Sequence, residues 1–132
     1  MKAAADHMGF SGHLVVDDKA IPDGPWEWNL EPCEAQINTY LKQLKESGFE
    51  VGTIVTFDDG GVSHHPNHIS TSHACVSRHK NGSDQDLYTL LTVPMYRKYN
   101  SFLDIFLSSD NEVNFFLMTP IAAVRALMLH HT

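Results

Sequence analysis

"FEVGTIVTFDDGGVSHHPNHIS", residues Phe49–Ser70, changes its period in mid-course. Phe49–Phe57 is rich in β-branched and aromatic residues and reads as a buried strand of a parallel sheet. After Asp58 and Asp59, Gly60 and Gly61 allow the backbone to turn sharply. Pro66 stands where a helix can start, since its missing N–H costs nothing in the first turn. The helix is predicted to run to about Arg78. A strand, a tight turn and a helix make a βα unit. In such sheets, sites form at the carboxyl ends of the strands, which is where this loop lies.

The flanking segments repeat the alternation. Upstream, Ile37, Tyr40, Leu41 and Leu44 recur at helical spacing in a stretch that opens near Glu31. Acids stand at its start, Lys42 and Lys45 near its end, and Gly48 is placed as its stop. "HLVVD" (His13–Asp17) reads as a short buried strand, and "KAIPDGPWEWN" after it as a loop broken by Pro22, Gly24 and Pro25. Downstream, "KNGSDQD" reads as a turn and Leu87–Val93 as a strand. "RKYNSFLDIFLSS" is open between a helical turn and a loop. Glu112–Met118 reads as a strand, and Thr119 and Pro120 as the N-cap and first position of a final helix. Strands alternating with helices predict an α/β fold, three-layered with a mainly parallel sheet.

Composition bounds the function. The chain has 132 residues, a natural length for one domain, with 42% hydrophobic and 19% charged residues, as in soluble globular proteins. A net charge of −7 argues against a general nucleic-acid binder, which needs clustered Lys and Arg. Cys33 and Cys75 lack the close spacing of a zinc knuckle or redox pair, so reduced thiols and a cytosol-facing chain are expected. No segment approaches the ~18–20 apolar residues of a membrane span. Asp6 and His7 interrupt any apolar core in "MKAAADHMGFSGH", so no signal peptide is read there and the chain as given is expected to be soluble.

The nine histidines are many for this length, and the group in the loop carries the chemistry. His65 and His68 are spaced to project to one side of a first helical turn. Imidazole is a common zinc ligand, and catalytic zinc keeps three protein ligands and a water. The pair supplies either two ligands, or one ligand and one group facing a substrate. Asp58 at the strand end is a candidate to hold a histidine in one tautomer. A lone HxxH pair is as readily two solvated surface histidines; the strand-end position and the Asp-Gly-Gly run favour a site. His64 reads as a solvent-facing neighbour, and His73 and His79 as surface or core-edge residues. Trp26 and Trp28 read as packing residues rather than substrate platforms, and Cys75 as a small buried hydrophobe.

Read whole, "TFDDGGVSHHPNHIS" (Thr56–Ser70) resembles the signature of the PIG-L family, the N-acetylglucosaminyl-phosphatidylinositol de-N-acetylases of GPI-anchor synthesis, close to TFD-x-GGVSxHxNH. "VVDDKAIPDGPWEWN", "YRKYNSFLDI" and "RALMLHH" resemble further family segments in the same order, so the likeness extends from about His13 onward. The wider family, with its LmbE-like deacetylases, implies a Rossmann-like fold and a mononuclear zinc site. By that resemblance His68 is a zinc ligand, and His65 stabilises the tetrahedral intermediate and protonates the leaving amine. Asp58 orients His65. The implied reaction removes the acetyl group from N-acetylglucosaminyl-phosphatidylinositol at the cytoplasmic face of the endoplasmic reticulum, with membrane association in the full-length family member. The family's HPDDE-type segment, which supplies the other zinc ligands and the general base, has no counterpart in these residues. Residues 1–132 are therefore expected to be a single deacetylase domain incomplete at both ends, holding zinc weakly and inactive alone. The alternative is a non-catalytic module with the same fold that binds the sugar-lipid or a partner.

Overall fold

The computed structural model describes residues 2–7, 9–94 and 96. Its centre is a parallel pair of strands, β1 (Thr53–Phe57) and β2 (Asp86–Leu90). Thr53 pairs with Asp86 and Phe57 with Leu90, so both strands end at the same level. Helices α1 (Lys2–His7), α2 (Leu30–Glu46), α3 (Gly61–His64) and α4 (Pro66–Lys80) complete the elements. Helix α4 is the crossover between the strands, packs on both, and in turn receives α2. This is a partial α/β fold with a parallel sheet, the class that the alternation of periods predicts.

Local chemistry explains each element. The apolar stripe of α2 begins one turn earlier than the sequence suggests: Cys33 is buried, and Ile37, Tyr40, Leu41 and Leu44 continue the same face, half-buried. Gly48, at φ +85, ends the helix in a left-handed turn. Its N–H donates to the Lys45 carbonyl at 3.0 Å and the Phe49 N–H to the Leu44 carbonyl at 2.9 Å. That is a Schellman pairing, which satisfies carbonyls the helix would otherwise leave open.

Helix α4 starts at Pro66, as its sequence predicts, and continues two residues past Arg78. Its buried residues are Asn67, Ser70, Ser72, Ala74 and Cys75, all small, so its axis can approach both the sheet and α2 closely. Ser70 and Thr71 donate their hydroxyls to the carbonyls of Pro66 and Asn67, at 3.0 and 2.8 Å, so burial leaves neither donor idle. Arg78 ties three parts together, donating to Asn38 on α2 at 2.8 Å, and to Ser83 and Gln85 before β2, each at 2.7 Å.

Three readings of the sequence need correction. The strand read at Leu87–Val93 runs from Asp86 to Leu90 and stops short of Thr92. Phe49–Gly52 is not strand; β1 is confined to Thr53–Phe57 and is not buried on both faces. Thr56 is 5% exposed but Val55 is 53% exposed. Among the described residues α4 covers one face of the pair, and a continuously buried parallel strand needs cover on both. His13–Asp17 is not a strand either, and Leu14, Val15 and Val16 are exposed. β-branched residues favour a pleated, half-buried surface, and this stretch pairs with neither β1 nor β2. The strand read at Glu112–Met118 and the helix read from Thr119 lie outside the described residues.

The chain divides into two compact units. Val16–Ser101 holds α2, β1, α3, α4 and β2, and Met1–Val15, with α1, belongs to the other. There α1 closes with the Gly9 N–H on the Asp6 carbonyl and the Phe10 N–H on the Ala5 carbonyl, at 3.1 and 3.0 Å. No helix of the described residues is long and apolar enough to cross a membrane.

Candidate active site

The loop from Asp58 to His65 leaves the carboxyl end of β1 and turns directly into α4. Its path is unusual. Gly61, Val62 and His64 all have positive φ, at 58, 62 and 56°. For glycine this is ordinary; for valine it is rare and strained, and persists only where neighbours over-determine it. Gly61 is also pressed on α4: a side chain there would meet Ile69 Cγ1 at 2.9 Å, and His68 Cβ and the Ile69 nitrogen at 3.1 Å.

Asp58 supplies much of that determination. Its own N–H donates to the Leu90 carbonyl at 3.2 Å, extending the ladder past β1. Its carboxylate accepts from the Gly60 N–H at 3.1 Å, and from both the N–H and the hydroxyl of Thr92, just beyond β2. Burial disfavours the charged form of Asp58, but the Thr92 hydroxyl and N–H, with the Gly60 and Gly61 N–H groups, outweigh it and hold the carboxyl below its ordinary range. The carboxylate thus fastens the loop to the neighbouring strand. The partner expected from the resemblance was His65; the bonds formed go to Thr92 and Gly60 instead.

The two central histidines are held by backbone groups, and in opposite senses. His65 is the N-cap of α4, and its Nδ1 accepts the Asn67 N–H at 3.3 Å. An amide N–H can only donate, so neutral His65 carries its proton on Nε2. His68 is one turn later, and its Nδ1 lies 3.0 Å from the Gly61 carbonyl. A carbonyl can only accept, so His68 carries its proton on Nδ1 and leaves an electron pair on Nε2. Phe57 stacks on the His68 ring at 4.2 Å and 16°, fixing its plane. The two imidazole centroids are 5.1 Å apart. The strand end and helix start therefore set a hydrogen-bond donor and an electron-pair donor side by side.

A second loop is drawn over the start of α4. Asn67 donates to Asp23 at 2.8 Å, and the Trp28 N–H donates to the Ser70 hydroxyl at 2.9 Å. Asp18 accepts from Gln36 of α2 at 2.6 Å. Trp28 is half-buried with its indole N–H on the Pro22 carbonyl at 2.7 Å, a packing role, whereas Trp26 is 52% exposed. His64, His73 and His79 are exposed, as read from the sequence.

Among the described residues no three His, Cys, Asp or Glu side chains converge to hold a metal ion. In this loop His68 has the donor geometry of one ligand, with Nδ1–H on a carbonyl and Nε2 open, the usual outer-shell arrangement for a zinc-binding imidazole. Thr92 and Asn67 were not singled out in the sequence as site residues. The one signal pointing to Thr92 is the shared level of the two strand ends, which brings the residues after Leu90 beside Asp58.

No family model matches the chain, and no solved structure does. Curated relatives do, among them the following two. One, from Schizosaccharomyces pombe and named a probable N-acetylglucosaminyl-phosphatidylinositol de-N-acetylase, is 31% identical over 90 residues, covering 68% of this chain and 35% of its own length. The other, from Bos taurus and named N-acetylglucosaminyl-phosphatidylinositol de-N-acetylase, is 30% identical over 98 residues, covering 72% and 37%. The matched region thus spans about a third of the length of these relatives. By sequence the chain is thus similar to N-acetylglucosaminyl-phosphatidylinositol de-N-acetylases over about a third of their length.

Proposed function

We propose that the chain carries one wall of a zinc-dependent site for removing the acetyl group from N-acetylglucosaminyl-phosphatidylinositol, in GPI-anchor synthesis at the cytoplasmic face of the endoplasmic reticulum. The observation that carries this reading is that the two histidines at the end of β1 turn Nδ1 to opposite backbone groups, an N–H and a carbonyl. The names of the two relatives support the substrate.

In this reading His68 offers its Nε2 electron pair as one ligand of the metal. A zinc ion held there would polarise the amide carbonyl and lower the pKa of the attacking water. His65 presents Nε2–H to the amide oxygen, where negative charge grows as the carbon becomes tetrahedral. Asp58 acts on the loop rather than on substrate, keeping its two strand ends together through Thr92. Asn67 and Ser70 hold the Asp23–Trp28 loop at the same helix start, which bounds the site on that side.

Zinc content of the purified chain tests the reading. His68→Ala is expected to abolish uptake and His65→Ala to retain it; unchanged uptake in His68→Ala refutes the ligand assignment. Acetate release from the sugar-lipid by these residues alone would mark a working hydrolase and overturn the expectation that they are inactive alone. Binding to vesicles containing the lipid, without acetate release, is expected of both readings and tests only whether this wall contacts the substrate.

A further inference from the structure

Thr92 takes part in three hydrogen bonds, and their polarity runs one way. Its hydroxyl donates to Asp58, and its N–H donates to the second carboxylate oxygen. The same hydroxyl oxygen accepts the Val62 N–H at 2.8 Å. An ionised carboxylate only accepts, so it claims the hydroxyl proton and leaves the oxygen free only to accept. The Val62 N–H belongs to the same peptide plane as the Gly61 carbonyl, and in a trans peptide the two point in opposite directions. Thr92 thus holds one edge of that plane while the other edge meets His68 Nδ1 at 3.0 Å.

We propose that Thr92 is a positioning residue of this site, which fixes the His68 proton on Nδ1 by holding the Gly61–Val62 peptide in one orientation. Were the plane to turn over, an N–H would face Nδ1 in place of the carbonyl. The proton would then move to Nε2, and the electron pair would point into the protein. Positive φ at both Gly61 and Val62 makes such a turn credible, because valine holds that conformation only under restraint. The inference concerns the His68 tautomer; its meaning for metal binding rests on the zinc reading above.

The test uses the full 132-residue chain, metal-free, at about pH 8. Long-range proton–nitrogen NMR assigns the tautomer of His68. The wild type is expected to show the proton on Nδ1. Thr92→Ser keeps the hydroxyl and should match it; Thr92→Val keeps the shape without the hydroxyl and should shift the proton towards Nε2. Loss of such an outer-shell partner should also weaken cobalt(II) or zinc binding by about 10–100-fold. If Thr92→Val fails to fold, Gly60→Ala gives a second arm, because its new Cβ would meet the Thr92 hydroxyl at 2.6 Å and displace it. A wild-type proton on Nε2, or an unchanged His68 tautomer in a folded hydroxyl-displaced variant, overturns the inference. A tautomer that responds to Thr92 in a chain that takes up no zinc upholds the positioning role and rejects the zinc reading.

Discussion

Replacing Gly61 by alanine should cost more than the same change at Gly48, and the difference measures how tightly the loop is pressed on α4. Both glycines have positive φ, at 58 and 85°. An L-residue there costs about 1–2 kcal/mol. Loss of glycine's freedom in the unfolded chain returns about 0.4–1 kcal/mol. At Gly48 a new Cβ would meet nothing within 4 Å, so the net cost is about 1 kcal/mol. At Gly61 it would lie 2.9 Å from Ile69 Cγ1 and 3.1 Å from a backbone nitrogen that cannot swing aside. Overpacking of this kind adds about 1–3 kcal/mol. Gly61→Ala should therefore be worse than Gly48→Ala by about 2 kcal/mol, a large share of the ~5–15 kcal/mol of a typical domain. Urea unfolding followed by tryptophan fluorescence reads this directly. With a slope of about 1–3 kcal/mol/M, the two midpoints should differ by roughly 1 M. Equal midpoints would show that the loop yields without cost, and the claim that Gly61 is pressed on α4 would fall.

Ser70→Ala removes the acceptor of the Trp28 N–H; it should cost about 1 kcal/mol and red-shift Trp28 emission as its loop lifts from α4. Cys33 and Cys75 are free and buried; burial pushes both thiols up, with the Cys75 and Glu34 charges adding to the effect on Cys33, and outweighing the Thr56 hydroxyl and Arg78 at Cys75. Iodoacetamide should thus label neither in the native chain at neutral pH and both in urea, and rapid native labelling would contradict their burial. Because the folded Asp58 carboxyl is depressed, its contribution is fully present above the unfolded value of about 3.9 and is lost as pH falls through the lower folded value. The Val62 and Thr92 amides should lose protection from hydrogen exchange in that acid range, and Asp58→Asn should remove the dependence.

What the sequence made legible was local. Pro66 announced the start of α4, Gly48 the end of α2, and the apolar spacing of Ile37 to Leu44 the face between them, because each signal acts within a turn or two of chain. The parallel pairing of β1 and β2 followed from the helix that separates them. His13–Asp17 misled because strand propensity states a preference for a partner without naming one. Asp58 misled for a related reason. Its nearest histidines in sequence were the obvious partners, but its carboxylate closes on Thr92, brought there by strand register. The positions of His65 and His68 were readable; the backbone groups that set their protons were not, since these depend on the φ of Gly61 and Val62.

The shared use of Nδ1 by both histidines has a practical consequence. A side-chain amide can copy one end of an imidazole: asparagine reaches roughly where Nδ1 lies, and glutamine roughly where Nε2 lies. His68→Asn can thus keep the bond to the Gly61 carbonyl while deleting the outward electron pair, and His68→Gln can do the reverse. At His65 the same two replacements divide the helix cap from the outward proton donor. Each ring then splits into an architectural half and a chemical half. Four point variants would read the two contributions apart, where alanine would remove both at once.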